Sequence, residues 1–209
     1  MLSFIPTPIV PHADGPTDPG QPPALAGAGL LVMWLLIISL GIGLAALLVF
    51  YFIMRARAPV WPPPGTPPLP AGLWLSTGVL LLSSATIELA LRGARRGRPG
   101  LVRSGTAATT ALALAFVVSQ LVNWGLAVAA KLPPGLNMFS ALFYLLTGLH
   151  GLHVIGGLIP LVWVTFNARR GVYTPARHEG LRYVALYWHF LDVAWLAMFT
   201  ALLLGHSRG

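Results

Sequence analysis

The chain has 209 residues, 56% of them hydrophobic and only 9% charged, with a mean hydropathy of +0.76 and a formal net charge of +8. So few charges exclude a soluble fold and point to membrane-spanning helices. The basic excess does not point to nucleic acid, because Lys and Arg sit in short loops between apolar runs, and the lack of cysteine excludes a disulfide framework, a thiolate metal site and a cysteine nucleophile.

Residues 1–28 form a proline-rich arm with Asp14 and Asp18. The arm lacks the basic start and early apolar core of a signal peptide, so it reads as a terminal arm rather than a cleaved segment. From Gly29 onward the chain reads as one membrane domain, 29–209. Five runs reach membrane length: Gly29–Met54, Ala71–Leu91, Gly105–Ala130, Phe139–Phe166 and Leu181–Leu204. Between the first two, Trp61-Pro62-Pro63-Pro64 through Pro70 must be an extended loop, because proline removes donors and fixes φ. Pro133-Pro134-Gly135 breaks the chain between the third and fourth. The expected fold is an all-α membrane protein, a five-transmembrane-helix bundle without an internal repeat.

Orientation follows from charge. One side of the expected bundle carries Arg92, Arg95, Arg96, Arg98, Arg103, Arg169, Arg170, Arg177 and Arg182; the other has Arg55, Arg57, Lys131 and Arg208. The positive-inside rule then places the N-terminus inside and the C-terminus outside. Trp61 and Trp74 flank the outer loop and fit an interfacial aromatic belt.

Ionisable residues within the spans are costly and mark function or close pairing. A rise of about 1.5 Å per residue places His150 near the bilayer middle and His153, His189, Asp192 and Glu88 toward the inner side. His150 and His153 share a helix face, as do His189 and Asp192. These five residues form an expected inter-helix polar junction. Two readings stand for the first pair: metal or haem ligation, or hydrogen bonds to a facing helix. The second is preferred, because no further histidine pair spans the other half of the membrane. For His189 and Asp192 the alternatives are a proton relay or a local neutralised pair. Glu88 either receives protons or turns to the surface beside Arg92, four residues on. Gln120, Asn123 and Trp124 are expected to bridge helices, Gly156 and Gly157 to allow close helix approach, and Trp188 and Trp195 to pack the interior.

Two segments then carry a resemblance. Gly148-Leu149-His150-Gly151-Leu152-His153-Val154 with Gly156-Gly157, and Tyr187-Trp188-His189-Phe190-Leu191-Asp192-Val193-Ala194-Trp195, resemble the signature segments of subunit III of haem-copper oxidases. Leu73-Trp74-Leu75-Ser76-Thr77 through Glu88, and Gln120 with Trp124, resemble intervening spans of that family. The resemblance extends from about Leu30 onward. It implies the shorter form of the family, which lacks the first two of seven helices, in the inner membrane of a bacterium. It further implies a subunit with no haem or copper of its own, both being held by partner subunits. Such a subunit packs on catalytic subunit I, with subunit II in the complex, and stabilises it during oxygen reduction. It supports proton uptake and holds membrane phospholipids, whose headgroups Arg92, Arg95, Arg96 and Arg98 would meet. The early carboxylate of many relatives is absent from Ile37-Ile38-Ser39-Leu40-Gly41, and Arg182 stands where many carry an acid, with Glu179 nearby. A proton-collecting role at the first of these positions does not carry over. The rival readings are an accessory subunit of a nitric oxide reductase, a subunit of a quinol oxidase, and a free-standing b-haem protein or transporter.

Overall fold

The computed structural model describes the backbone of residues 25–206 and the side chains of 28–205. Five helices follow in order: α1 Leu25–Arg57, α2 Gly72–Arg95, α3 Pro99–Ala129, α4 Met138–Arg169 and α5 Glu179–His206. All five are long and apolar enough to cross a membrane. The rest of the expected N-terminal arm, and Arg208, lie outside the described residues.

The helices outrun the apolar spans because a helix does not stop where hydrocarbon stops. Its polar last turns continue into the headgroup layer, where charged side chains reach water. The expected arginine loop after α2 is accordingly short. Arg92 and Arg95 belong to the last turn of α2, and Arg103 lies within α3. Only Arg96, Gly97 and Arg98 connect the two. Gly97 takes φ +64°, a left-handed value that favours glycine, and Pro99 opens α3, where its missing N–H costs nothing. At the opposite end, Asn137 caps α4. Its side chain accepts from the Ser140 N–H at 2.9 Å, and the Ser140 hydroxyl accepts from the Asn137 N–H at 3.2 Å. The Asn137 amide also donates to Thr66 Oγ1 at 3.1 Å, tying the proline loop to the start of α4.

α2 packs along α3, α3 along α4, α4 along α5, and α5 returns to α2. Four helices thus close a ring. α1 lies outside it, against α5 and, over a shorter stretch, α4. Only Ile37 and Tyr51 of its described side chains are buried, and Leu31, Val32, Leu35 and Ile42 are each more than half exposed. The α2–α3 crossing is the closest. A Cβ on Gly105 would lie 2.8 Å from Ala90 Cβ and 2.9 Å from the Thr86 carbonyl oxygen. Just along this contact, Thr86 and Thr109 share a hydrogen bond of 2.8 Å.

One interfacial expectation is corrected. Trp61 is buried, its ring edge-on to Tyr51 at 5.7 Å and to Phe139 at 5.8 Å. The proline loop turns back over the bundle end and carries the indole inward. Trp74 is 62% exposed, its ring edge-on to Phe199 at 4.9 Å.

Candidate functional site

Ionisable side chains of the ring meet between α2 and α5, which run antiparallel. As the number rises along α2 it falls along α5. Trp195 donates its indole N–H to Thr77 Oγ1 at 2.9 Å, and Trp188 to Ser83 Oγ at 2.8 Å. Both rings are buried. An indole N–H in hydrocarbon must find a partner, and a hydroxyl on the facing helix supplies it.

One residue further along each helix, Ser84 Oγ lies 2.6 Å from His189 Nδ1. Asp192 Oδ2 is 3.9 Å from the same nitrogen, and Glu88 Oε2 is 3.8 Å from Nε2. Arg92 in turn donates through Nε to Glu88 Oε1 at 2.9 Å. Arg92, Glu88, His189 and Asp192 therefore run from an exposed guanidinium to a carboxylate only 4% exposed. Neither Asp192 oxygen has a hydrogen-bond partner among the described residues. The His189 imidazole thus bonds Ser84 through Nδ1 and has a carboxylate within 4 Å of each ring nitrogen, at ion-pair rather than hydrogen-bond distance.

His150 and His153 do not join this cluster. His150 is 4% exposed, its ring edge-on to Phe116 at 5.8 Å and tilted against Trp195 at 5.1 Å. Its Nε2 has no partner among the described residues. His153 Nδ1 meets the carbonyl of Leu149, one turn back on its own helix, at 2.7 Å. Both rings line a cleft of about 410 Å³ between α1 and the α4–α5 pair, with Ser39, Leu40 and Gly43 on the α1 side. The division arises on α5. Phe190, Leu191 and Ala194 face this cleft, whereas His189, with Asp192 beside it, meets Ser84 and Glu88 of α2. Shared depth brought the five residues together in the sequence reading, but depth along a helix carries no information about its rotation. Among the described residues, no three His, Asp or Glu side chains are grouped so as to hold a metal ion.

The expected bridging residues divide as well. Asn123 donates to Ser76 Oγ at 3.0 Å, and Trp124 donates to Thr147 Oγ1 at 3.1 Å. Gln120 is buried, yet neither carboxamide atom has a partner among the described residues. A Cβ on Gly157 would meet the Tyr187 ring at 2.7 Å, so this glycine admits α5; one on Gly156 would meet nothing within 4 Å. Adjacent helical positions are turned by about 100°, so only one of the pair can face the neighbour. Tyr187 also donates to the His153 carbonyl at 3.2 Å. Arg92, Arg95, Arg96 and Arg98 are all exposed at the α2–α3 turn. Ser83, Ser84, Thr77 and Tyr187 fall within the resembling segments but were given no contact of their own in the sequence. Their signal was faint: small hydroxyls on α2 in antiparallel register with Trp188-His189 and Trp195.

Residues 27–205 match the family model described as "Cytochrome c oxidase subunit III". The chain is 35% identical over 162 residues to the "Probable cytochrome c oxidase subunit 3" of Mycobacterium tuberculosis, covering 76% of this chain and 78% of that one. It is 35% identical over 153 residues to the "Cytochrome c oxidase subunit 3" of Synechocystis sp., covering 71% and 64%. It is 32% identical over 177 residues to the "Cytochrome c oxidase subunit 3" of Thermostichus vulcanus, covering 83% and 84%.

Proposed function

The chain belongs to the cytochrome c oxidase subunit III family, and on that premise we propose that it is a non-catalytic subunit of a haem-copper terminal oxidase, packed against catalytic subunit I in a complex with subunit II. It is a multi-pass protein of the bacterial inner membrane. The observation that carries the reading is the extent of the match, which covers all five helices rather than one motif. Its N-terminus lies inside and its C-terminus outside. Support comes from the nine arginines at the α2–α3 and α4–α5 end, against four basic residues at the other.

In this reading the chain stabilises subunit I, binds lipid and supports proton uptake, while haem and copper belong to the partner subunits. The cleft between α1 and the α4–α5 pair, about 410 Å³ and mostly apolar in its lining, suits a phospholipid acyl chain. Separately, the exposed arginines of the α2–α3 turn suit anionic headgroups. In support of proton uptake, Glu88 and His189 lie 3.8 Å apart at the arginine-rich end, with Asp192 3.9 Å from His189 on the inner side of the pair.

Purification in mild detergent through a tag on this chain, with mass spectrometry and a visible spectrum, tests the reading. The expected result is a large multi-helix subunit carrying haem and copper. Haem with non-haem iron would move the chain to a nitric oxide reductase, and a coloured chain recovered alone would make its histidines ligands. His189→Ala removes the imidazole that links α5 to Ser84 and Glu88. It is expected to lower recovery of subunit I about tenfold or less, the factor that one or two interhelical hydrogen bonds supply. The haem spectrum per recovered subunit I stays unchanged. Loss of haem signal with undiminished association would reverse the assignment.

A further inference from the structure

The cleft between α1 and the α4–α5 pair is apolar over most of its wall, but not over all of it. Leu40, Leu44 and Leu47 line one side with Ser39 beside them, and His153 and Phe190 stand on the other. His153 Nδ1 lies 2.7 Å from the Leu149 carbonyl oxygen. A carbonyl only accepts, so Nδ1 carries the hydrogen, and in the neutral ring Nε2 is left a bare lone pair. That nitrogen has no hydrogen-bond partner among the described residues, and neither has the Ser39 hydroxyl. Neither group is shut away, since His153 is half-buried and Ser39 exposed. His150 differs: its Nε2 is enclosed and offered to nothing.

Depth selects what can meet these groups. His153 lies fifteen residues from Met138 and sixteen from Arg169 along α4, and Ser39 fourteen from Leu25 and eighteen from Arg57 along α1. Both stand near mid-helix. The hydrocarbon layer is about 30 Å thick, so the ester and phosphate groups of a phospholipid stay about 15 Å from its middle. An acyl chain would fill the apolar walls and leave the lone pair unmet, which is costly in hydrocarbon. The lipid that fits carries a hydroxyl into the membrane interior. A prenylated hydroquinone does so. Its tail is as apolar as an acyl chain, its head is a ring that Phe190 can face, and its two O–H groups are donors. The oxidised quinone has acceptors only, which an acceptor nitrogen cannot bond. We propose that this cleft binds a membrane hydroquinone in preference to its quinone, one hydroxyl donating to His153 Nε2. The proposal rests on the reading of the cleft as a lipid site and names the class of lipid.

Two photoreactive probes test it on the complex purified through a tag on this chain. One is a hydroquinone with a diazirine in its alkyl tail, kept reduced with dithionite under argon; the other is a phosphatidylglycerol with a diazirine in one acyl chain. After illumination the labelled peptides are mapped. The hydroquinone is expected to label the α1, α4 and α5 peptides that line the cleft. The same probe in its oxidised form, without reductant, is expected to label them about fivefold less, the factor of one ordinary hydrogen bond. His153→Leu is expected to lower labelling by the reduced probe about fivefold as well, and Ile159→Phe, at a site 73% exposed elsewhere on α4, to leave it unchanged. Cleft labelling by the phosphatidylglycerol alone, or equal labelling by the reduced and oxidised forms, overturns the proposal and leaves the lipid reading of the cleft intact. Labelling of the cleft by neither probe sinks both. The map on the unsubstituted chain decides among these results even where His153→Leu fails to accumulate.

Discussion

The hydroxyl of Thr77 has two duties. It donates to the Leu73 carbonyl at 2.8 Å and accepts from Trp195 at 2.9 Å. Trp195→Phe keeps most of the ring and removes only the N–H. The expected loss is about 1 kcal/mol, within the range of hydrogen bonds between membrane helices. A double-mutant cycle with Thr77→Val, read by thermal unfolding in detergent, should show the two changes to be non-additive by about that amount. Additive effects would mean the bond contributes nothing. The same double duty explains why such partners were hard to see in the sequence. Thr77, Ser76 and Thr147 each bond the carbonyl four residues back, so a lone hydroxyl in an apolar run needs no facing partner to be tolerated. Trp188 and Trp195 were expected in the interior from their depth along the span; an indole has no such local outlet, and each donates to a hydroxyl of α2. Gln120 and Asn123 looked alike in the sequence, and only the rotation of α3 separates them.

At the scale of helices, boundaries and contacts differ in how well they could be read. Five apolar runs announced five helices, and the proline clusters announced two of the turns. The length of the arginine connection was misjudged because arginine at a helix end is compatible with the helix as well as with a loop. Trp61 was assigned to the interface because tryptophan beside a loop usually lies there. The fold of the loop, not its composition, carries the ring inward. The close α2–α3 crossing was also hidden, since Gly105 is one glycine among many. Gly105→Leu would force its side chain into Ala90 and the Thr86 carbonyl. It is expected to destabilise by about 1–3 kcal/mol, the usual cost of overpacking, and to lower the detergent melting temperature. Gly78→Leu, where a Cβ meets nothing within 4 Å, should leave that temperature unchanged. Equal effects from both would mean the crossing is not close-packed.

Across the whole molecule, the five helices are not equal partners. α2 to α5 share a closed ring with hydroxyl, indole and imidazole contacts between them, whereas α1 rests on its outside with two buried described side chains. Amide hydrogen exchange in detergent should reflect this. α1 amides are expected to exchange before those of α3 and α5, because local opening is easiest where few buried contacts must break. Simultaneous exchange of all five helices would mean that α1 is as firmly held as the ring. The five-helix architecture was legible because apolar length is a property of whole segments. The separation of His150 and His153 from Glu88, His189 and Asp192 was not, because it depends on which flank of α5 meets α2 and which meets the cleft.

The short Arg96-Gly97-Arg98 turn and the remote seat of α1 also set a timetable for biogenesis. The tightest pair, α2 and α3, is made consecutively and joined by three residues, so it can close as soon as α3 leaves the translocon. α1 precedes the other four, but its helix partners among the described residues, α4 and α5, are made last. It must wait alone in lipid through nearly the whole of translation. A helix with no charged residue between Leu25 and Met54 is suited to that wait, since nothing within it calls for a neighbour before one arrives.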